Sequence, residues 1–497
     1  MRLAELAAGV PGASVEEGGD YDVDRVVQDS RKARPGDLFV ALRGLRADGH
    51  EYAAEVAARG AAVALERTVP LPPGTAWIRV AATRPALGEL AAELRGRPAR
   101  ALLVAGVTGT DGKTTTTHLA AHLLRSAGIP AGAMSTIAIE AGDRSGRNES
   151  GQTTVEAPEV QAWLAATRSA GSRAAILEVT SHALIQERVS ACDFDVAAFT
   201  NVGRDHLDYH ASWDDYLAAK ARLLDLCAEA TGKGVVKTAV LNADDASYER
   251  LATRPIANRL TYSLVTPADI FATDVTGSGS GSRFRIHHRG RSAPVSLALP
   301  AAFNVANALA AAGIALAFGL ELDGIAAGIA SFGGVPGRLE RVDIGQPYAV
   351  YIDFAHSAGA LATALGALRS LTGGRLLAVF GSTGRSDHDR PGMGRAAAAG
   401  ADYFVITTDD PVAEDPAAIA AEVAAGAASR REGEDYAVIL DRREAIRHAI
   451  GLARPGDTVL LAGKGHERFM LMARSKEPWD ERAEAEAAIR LALERTG

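Results

Sequence analysis

The stretch Gly106-Val-Thr-Gly-Thr-Asp-Gly112-Lys113-Thr114 follows the apolar run Ala101–Val107 and leads into a helical pattern from about Thr114 to Ala127. A buried strand, a glycine-rich loop and a helix start, in that order, are the parts of a phosphate site on a parallel sheet. Glycines let backbone N–H groups curl round phosphate oxygens, and the helix N-terminus adds positive potential. Lys113 can reach the terminal phosphates and Thr114 can ligate magnesium. One extra residue separates Gly106 from Gly112, so the strict GxxxxGKT pattern fails at its first glycine. The loop names a nucleoside triphosphate and magnesium. It does not name a reaction.

Working outward, strands are predicted at Ala174–Val179 and Val196–Thr200 with helical pattern between them, the alternation of a parallel α/β sheet. Residues 270–299 break the rhythm and read as an antiparallel hairpin turning at Gly277-Ser-Gly-Ser-Gly281. Towards the N-terminus, short strand-like runs (Leu38–Leu42, Ala61–Glu66, Ala76–Ala81) alternate with Ala-rich helical patterns. Past Val335-Pro-Gly337, strands are predicted at Tyr348–Phe354, Arg375–Phe380, Tyr403–Thr407, Tyr436–Leu440 and Thr458–Ala462. The expectation is an α/β protein of three domains, 1–99, 100–336 and 337–497. The length of 497 residues agrees, at about 150 residues per domain.

Hydrophobic residues at 47% and charged residues at 23% exclude disordered and fibrous classes. A net charge of -8 argues against nucleic acid or an anionic membrane as the main partner. The longest uncharged apolar run, about Ala308 to Leu320, is too short for the roughly 20 residues of a membrane span. The N-terminus carries Glu5 in its short apolar stretch and lacks a basic lead, so it is a poor signal peptide. Cys192 and Cys227 make no disulfide framework, which fits a reducing compartment. The cytoplasm is the expected location. Only seven of the 53 basic residues are lysines, which invites the question of what those lysines do.

Two further clusters follow predicted strands. Leu177-Glu178-Val-Thr-Ser181-His182 puts a carboxylate at a strand's C-terminal end, where ligands of parallel sheets bind, and makes Glu178 a candidate magnesium ligand. Thr200-Asn-Val-Gly-Arg-Asp205-His206-Leu-Asp208-Tyr-His210, followed by Tyr216-Leu-Ala-Ala-Lys220, is a dense Asp/His group better suited to magnesium than to zinc, as no cysteine lies near it.

Gly109–Thr115, Glu178–His182, Asp205–Asp208 and Tyr216-x-x-Ala-Lys220 stand in the order and at the spacing of the Mur ligases, which the chain resembles over nearly its whole length. These are ATP-dependent amide-forming enzymes of peptidoglycan precursor synthesis. Asp29-Ser-Arg, Arg34–Gly44 and Asp48-Gly-His50 resemble the uridine-binding domain of the MurE type, and Thr153-Thr154 resembles its Thr-Thr-Pro motif. Pro300–Asn307, Val335–Glu340, Asp353–His356 and Gly463–Glu467 resemble later blocks of the family.

The resemblance implies a small UDP-binding domain, a P-loop-type ATPase domain with a mostly parallel sheet, and a Rossmann-like C-terminal domain. It implies transfer of the ATP γ-phosphate to the dipeptide's D-glutamate side chain, followed by attack of an amino acid's amine on the acyl phosphate. By motif position, Lys113, Glu178, His206 and Lys220 would be catalytic, and Thr114, Glu178, His206 and Lys220 would hold magnesium. Gly109, Thr110, Gly112, Lys113, Thr114, Thr115, Asn304, Asn307, Arg338 and Asp353 would hold ATP. Ser30, His50, Thr153, Thr154, Ser181, Gln186 and Arg188 would hold the UDP-sugar dipeptide. Arg385, Asp410, Gly463 and Glu467 would hold the amino acid. Lys220 matches the lysine that CO2 carbamylates in this family, a role closed to arginine, which stays protonated. Small molecules are the implied partners, and a monomer the implied state. Of the remaining lysines, Lys32, Lys233, Lys237 and Lys476 read as surface residues, and Lys464, which the resemblance puts beside the amino-acid site, has no independent physical role evident in the sequence.

The chain departs from the pattern mainly at the amino-acid site. Relatives using meso-diaminopimelate carry Asp-Asn-Pro-Arg, whose Arg pairs the distal carboxylate; here the stretch is Asp409-Asp410-Pro411-Val412. Valine cannot make that pair, and Asp410 attracts an ammonium group, so L-lysine or L-ornithine is expected over diaminopimelate. Glu467 is expected to remain available for the substrate's amino group. Asp111 also replaces the usual Asn of the phosphate loop, at a slight electrostatic cost. Two other readings stay open: another amide ligase of the folylpolyglutamate kind, or a silent paralogue that binds UDP-sugar or ATP.

Overall fold

The strand Leu103–Thr108, entirely apolar apart from its last residue, lies at the centre of a mostly parallel sheet. On one side it pairs with Ala174–Glu178, in register Glu178 to Val107, and on the other with Val196–Phe199. Ala131–Met134 extends one edge in parallel, and Ala138–Ala141 and Arg144–Arg147 finish it as an antiparallel ribbon. Thr238–Asn242 and Asn258–Ser263 extend the other edge, again in parallel. Strands buried on both faces by helices read as continuous apolar runs, which is why Leu103–Thr108, Ala174–Glu178 and Val196–Phe199 are legible in the sequence. Ala131–Met134, Thr238–Asn242 and Asn258–Ser263 are absent from the expected strands.

The computed structural model describes residues 1–44, 47–203, 209–384 and 389–496. They form two compact units, one of Met1–Phe271 with Asn307–Gly328, the other of Ala272–Ala306 with Ile329–Gly497. The first unit also contains a five-stranded sheet, in the order Ser14–Glu17, Trp77–Arg79, Ala62–Leu65, Asp37–Val40, Arg25–Val27. Its core is closed by Leu3, Leu6, Val40, Ile78, Leu87 and Leu90. In the second unit, four strands (Ala349–Asp353, Leu376–Phe380, Tyr403–Ile406, Thr458–Ala462) make a parallel sheet with Thr458–Ala462 between the first two. Tyr436–Val438 adds a parallel edge and Glu340–Val342 an antiparallel one.

The stretch expected as one hairpin over 270–299 has three strands, Ile270–Ser278, Gly281–His288 and Arg291–Leu297. Gly277–Gly281 supplies the first turn as expected. A second turn at Arg289-Gly290, with φ of 49° and 74°, has the positive φ pair of a type I′ hairpin loop. Arg-Gly is a weak turn signal, and the alternation runs on through it.

Two lysines expected at the surface are buried. Lys233 and Lys237 both point to the carboxylate of Asp195, at 2.7 and 3.0 Å, and Asp195 has no exposed surface. Lys233 also donates to the carbonyls of Ala99, Leu102 and Asp193. Burial pulls its ammonium down from the usual lysine range, while Asp195 supports it. A lysine enclosed by carbonyls and a carboxylate is an anchor between chain segments. Lys32 and Lys476 are exposed, as expected. Asp195→Ala would leave two buried ammonium groups without their counter-ion, at a cost of about 3–5 kcal/mol. Urea unfolding measures this, and a loss under about 1 kcal/mol would show the triad to be solvated.

Candidate active site

The phosphate loop is held in shape by its own neighbours. Gly112, at φ +81, caps the helix Lys113–Ser126, and a Cβ there would run into the side-chain oxygen of Asn307. Thr200 Oγ1 donates to Asp111 O (2.6 Å), Asn201 Nδ2 donates to the same carbonyl, and Thr110 N donates to Asn201 O (2.8 Å). Only the backbone of Asp111 is clamped in this way, and its side chain is exposed. The departure from Asn therefore falls where water screens it. Lys113 Nζ curls back to Thr110 O (2.7 Å) and Gly109 O (3.2 Å), within reach of any anion the loop holds. Thr115 is buried on the same helix.

Glu178 is 2% exposed and is the junction of the site. Its Oε2 accepts from Thr114 Oγ1 (2.9 Å), Thr136 N (3.1 Å) and Thr136 Oγ1 (3.2 Å). A carboxylate and a hydroxyl meeting beside a phosphate loop are the hard oxygen donors magnesium selects, so this pair fits the ion. Bound there, magnesium would neutralise phosphate charge.

Of the residues expected to hold the acyl acceptor, the structure gathers Thr153, Thr154, Ser181, Gln186 and Arg188 near Glu178. Thr153 Oγ1 accepts from Thr136 Oγ1, and Thr154 Oγ1 donates to Glu178 O (2.9 Å). Arg188 reaches Thr154 O, Gln186 Oε1 and, at 3.0 Å, Glu156. Ser181 opens the short helix behind Glu178, and its Oγ lies 3.0 Å from Nε2 of the buried His210. Ser30 is half-buried at the start of a 3-10 turn capped by Asp29. His50 differs from expectation. Its Nδ1 lies 2.7 Å from Asp48 and its Nε2 accepts from Glu66 N, so neither ring nitrogen is left for a ligand. It shapes the loop instead, and its backbone N–H, with Arg67, holds Asp48 well below the usual carboxylate range.

Lys220, 1% exposed, lies one turn after Tyr216 on the helix Trp213–Glu229. Its Nζ donates to Gly109 O (2.7 Å) and sits 4.4 Å from the centre of the Tyr216 ring, whose hydroxyl is 3.3 Å from Thr110 Oγ1. The i, i+4 spacing puts both side chains on one helix face, against the phosphate loop. His206 and Arg385 lie outside the described residues, as do Asp205 and Asp208.

In the second unit, Asn304 Nδ2 donates to Pro300 O. Arg338 lies over the Phe354 ring, and the Asp353 carboxylate accepts from Leu339 N and Ala355 N. Asp353 also anchors Gly463, whose N–H donates to its carbonyl. A cavity there is lined by Phe354, Asp409, Asp410, Val412, Glu467 and Leu471, among others. Gly463 has no room for a side chain beside the Asp409 carboxylate. Asp410 and Glu467 are both engaged, which differs from the expectation that Glu467 stays available. The ammonium of Lys464, with no exposed surface, lies 2.8 Å from Asp410 and 2.6 Å from Glu467. Burial raises the carboxyls of Asp409 and Glu467 against the pull of Lys464. Burial alone would lower Lys464, but Asp409, Glu467 and Asp410 outweigh it and raise it.

Thr136, Thr200, Asn201, His210 and Lys464 are the participants missing from the expected set. Thr200-Asn201 and His210 lie in a block whose density was visible. Thr136 carries no motif and is found only through the fold.

A phosphate loop on a parallel α/β sheet, backed by a buried carboxylate, defines a nucleotide-using enzyme of the P-loop type. Comparison with known proteins narrows this. Residues 22–95 match the "Mur ligase family, catalytic domain" model, 107–315 the "Mur ligase middle domain" and 337–465 the "Mur ligase, glutamate ligase domain". The chain is 44% identical to a UDP-N-acetylmuramyl-tripeptide synthetase of Roseiflexus sp. (strain RS-1), over 94% of both chains. It is 39% identical to a UDP-N-acetylmuramoyl-L-alanyl-D-glutamate–2,6-diaminopimelate ligase of Syntrophomonas wolfei, over 99% of both. A solved structure of a ligase of that second name covers 99% of each chain at 30% identity, with a TM-score of 0.69. The chain belongs to the Mur ligase family, has its three-domain α/β fold, and is an ATP-dependent ligase.

Proposed function

We propose that this enzyme adds the third amino acid to UDP-N-acetylmuramoyl-L-Ala-D-Glu, and that the amino acid is L-lysine or L-ornithine. In this reading residues 1–99 hold the UDP-sugar, 100–336 hold ATP and magnesium, and 337–497 hold the amino acid, in the cytoplasm where these nucleotides are found. The relatives' names support the third-residue step. Glu178 supports the ligase chemistry, because the one carboxylate ties Thr114 of the phosphate loop to Thr136, and through it to Thr153 of the expected acceptor site. A carboxylate acceptor needs a better leaving group than oxide, and the γ-phosphoryl group of ATP supplies one as an acyl phosphate. Lys113 would draw charge from the transferred group, and the amine would then attack. A carbamate on Lys220 would add a carboxylate-like group to the magnesium site.

The amino-acid preference rests on this chain's own residues, since relatives at 38–41% identity carry diaminopimelate in their names. Three carboxylates (Asp409, Asp410, Glu467) meet at the cavity, and Val412 is where a carboxylate-pairing arginine would be needed. An acidic cavity favours a distal ammonium and repels a distal carboxylate. Phosphate release with the UDP-dipeptide, ATP and a panel of amino acids tests both levels. Turnover with lysine or ornithine is expected. Turnover with diaminopimelate alone would refute the preference, and none with any amino acid would return the silent-paralogue reading. Val412→Arg is expected to admit diaminopimelate and to raise the KM for lysine. Valine at φ +53 is a strained β-branched residue, so an unbranched replacement costs the backbone nothing.

A further inference from the structure

Lys464 has a place in the fold that a generic lysine would not occupy. It follows the strand Thr458–Ala462, is wholly enclosed, and faces Asp410 and Glu467 at hydrogen-bonding distance and Asp409 at 3.8 Å. Another cation nearby, Arg442, is matched by Glu481 at 2.6 Å, with both side chains buried, so that pair adds no net charge. Among the described residues, what remains is three carboxylates against one ammonium at the wall of the cavity. Three carboxylates whose oxygens lie within 4.8 Å of one another repel strongly unless a cation sits among them. Asp410 is pinned in two ways, since its Oδ1 also accepts from Leu471 N (2.9 Å). Glu467, with its side chain 36% exposed, is the one free to swing outward, and Lys464 is three residues before it on the same turn.

We propose that Lys464 is a positioning residue for the amino-acid substrate: its ammonium holds the Asp410 and Glu467 carboxylates on the cavity wall, where their remaining oxygens receive the substrate's ammonium group. It cancels one negative charge and leaves the others facing inward, so the cavity stays acidic without flying apart. This rests on the reading that the cavity takes the amino acid. A wild-type enzyme with no turnover on any amino acid defeats that reading; a wild-type enzyme that turns over while its Lys464 variants behave normally defeats this one alone.

Lys464→Met removes the charge and keeps the bulk. The KM for the amino acid is expected to rise about 30-fold, the scale of truncating one partner of a buried charge pair. The KM values for ATP and UDP-dipeptide are expected to stay within about twofold, which a global loss of structure would not allow. Lys464→Met with Asp410→Asn removes both members of one pair, which is often close to neutral for folding. Because Asp410 is itself one of the carboxylates that receive the substrate, the double variant is expected to keep a raised amino-acid KM, by at least about fivefold. It carries the test if the single variant does not fold. The inference is overturned by an unchanged amino-acid KM in either variant. It is overturned equally by an ATP KM that rises in step.

Discussion

Glu178→Gln is expected to lower turnover by about 10³-fold, or ~4 kcal/mol of transition-state stabilisation, with little change in thermal stability. Glutamine keeps the shape, and its amide oxygen can still accept from Thr114 Oγ1 and Thr136 N. What it loses is the negative charge that would make the position a magnesium ligand in the proposed site. The loss should therefore appear as a raised magnesium requirement and a low kcat. Glu178→Ala differs in kind, since it removes the acceptor of the buried Thr114 hydroxyl and of the half-buried donors of Thr136, and should also cost about 1–3 kcal/mol of stability. Phosphate release across a magnesium titration, beside a thermal melt, separates the two. A Gln variant within about tenfold of wild type at saturating magnesium would remove Glu178 from the metal site.

The parts of this site legible in the sequence share one property: their chemistry is local. Gly109–Thr115 and Glu178 are read from a strand, a loop and a helix start that lie side by side in the chain. Thr136 and Asn201 escape such reading because their partners, Glu178 and the phosphate loop, are 42 and 90 residues away and only the parallel sheet brings them near. Lys464 escapes for the same reason, its partner Asp410 being 54 residues distant. Lys233 and Lys237 were misread because a lysine defaults to the surface unless a carboxylate is known to wait beneath it. Asp195, in the middle of an apolar stretch, was the signal that one did. His50 shows the converse: its motif was visible, but hydrogen bonds to both ring nitrogens turn a candidate ligand contact into a loop fastener.

Lys220→Ala is expected to lose about 10³-fold in turnover and to regain part of it when formate or acetate is added. As an ammonium, Lys220 donates to Gly109 O and lies over Tyr216, and it would bring positive charge to the proposed magnesium site. Carbamylation inverts that charge. The neutral amine attacks CO2, a proton leaves the nitrogen, and the product is a carboxylate at the end of a buried stem. A small carboxylate could stand in for that product once the stem is removed, whereas it could not replace an ammonium. Lys220→Arg discriminates most sharply, because arginine keeps the cation and cannot add CO2. If the ammonium were the working form, Arg would retain substantial activity and wild-type turnover would not depend on bicarbonate. If the carbamate is the working form, Arg is as inactive as Ala, CO2-free buffer lowers wild-type activity reversibly, and labelled bicarbonate yields a carbamate carbon signal absent from both variants. Five lysines of the seven, Lys113, Lys220, Lys233, Lys237 and Lys464, then stand where an amine on a thin, flexible stem serves better than a guanidinium: as a compact charge within reach of phosphate, as a neutral amine open to CO2, or as an ammonium enclosed among oxygens.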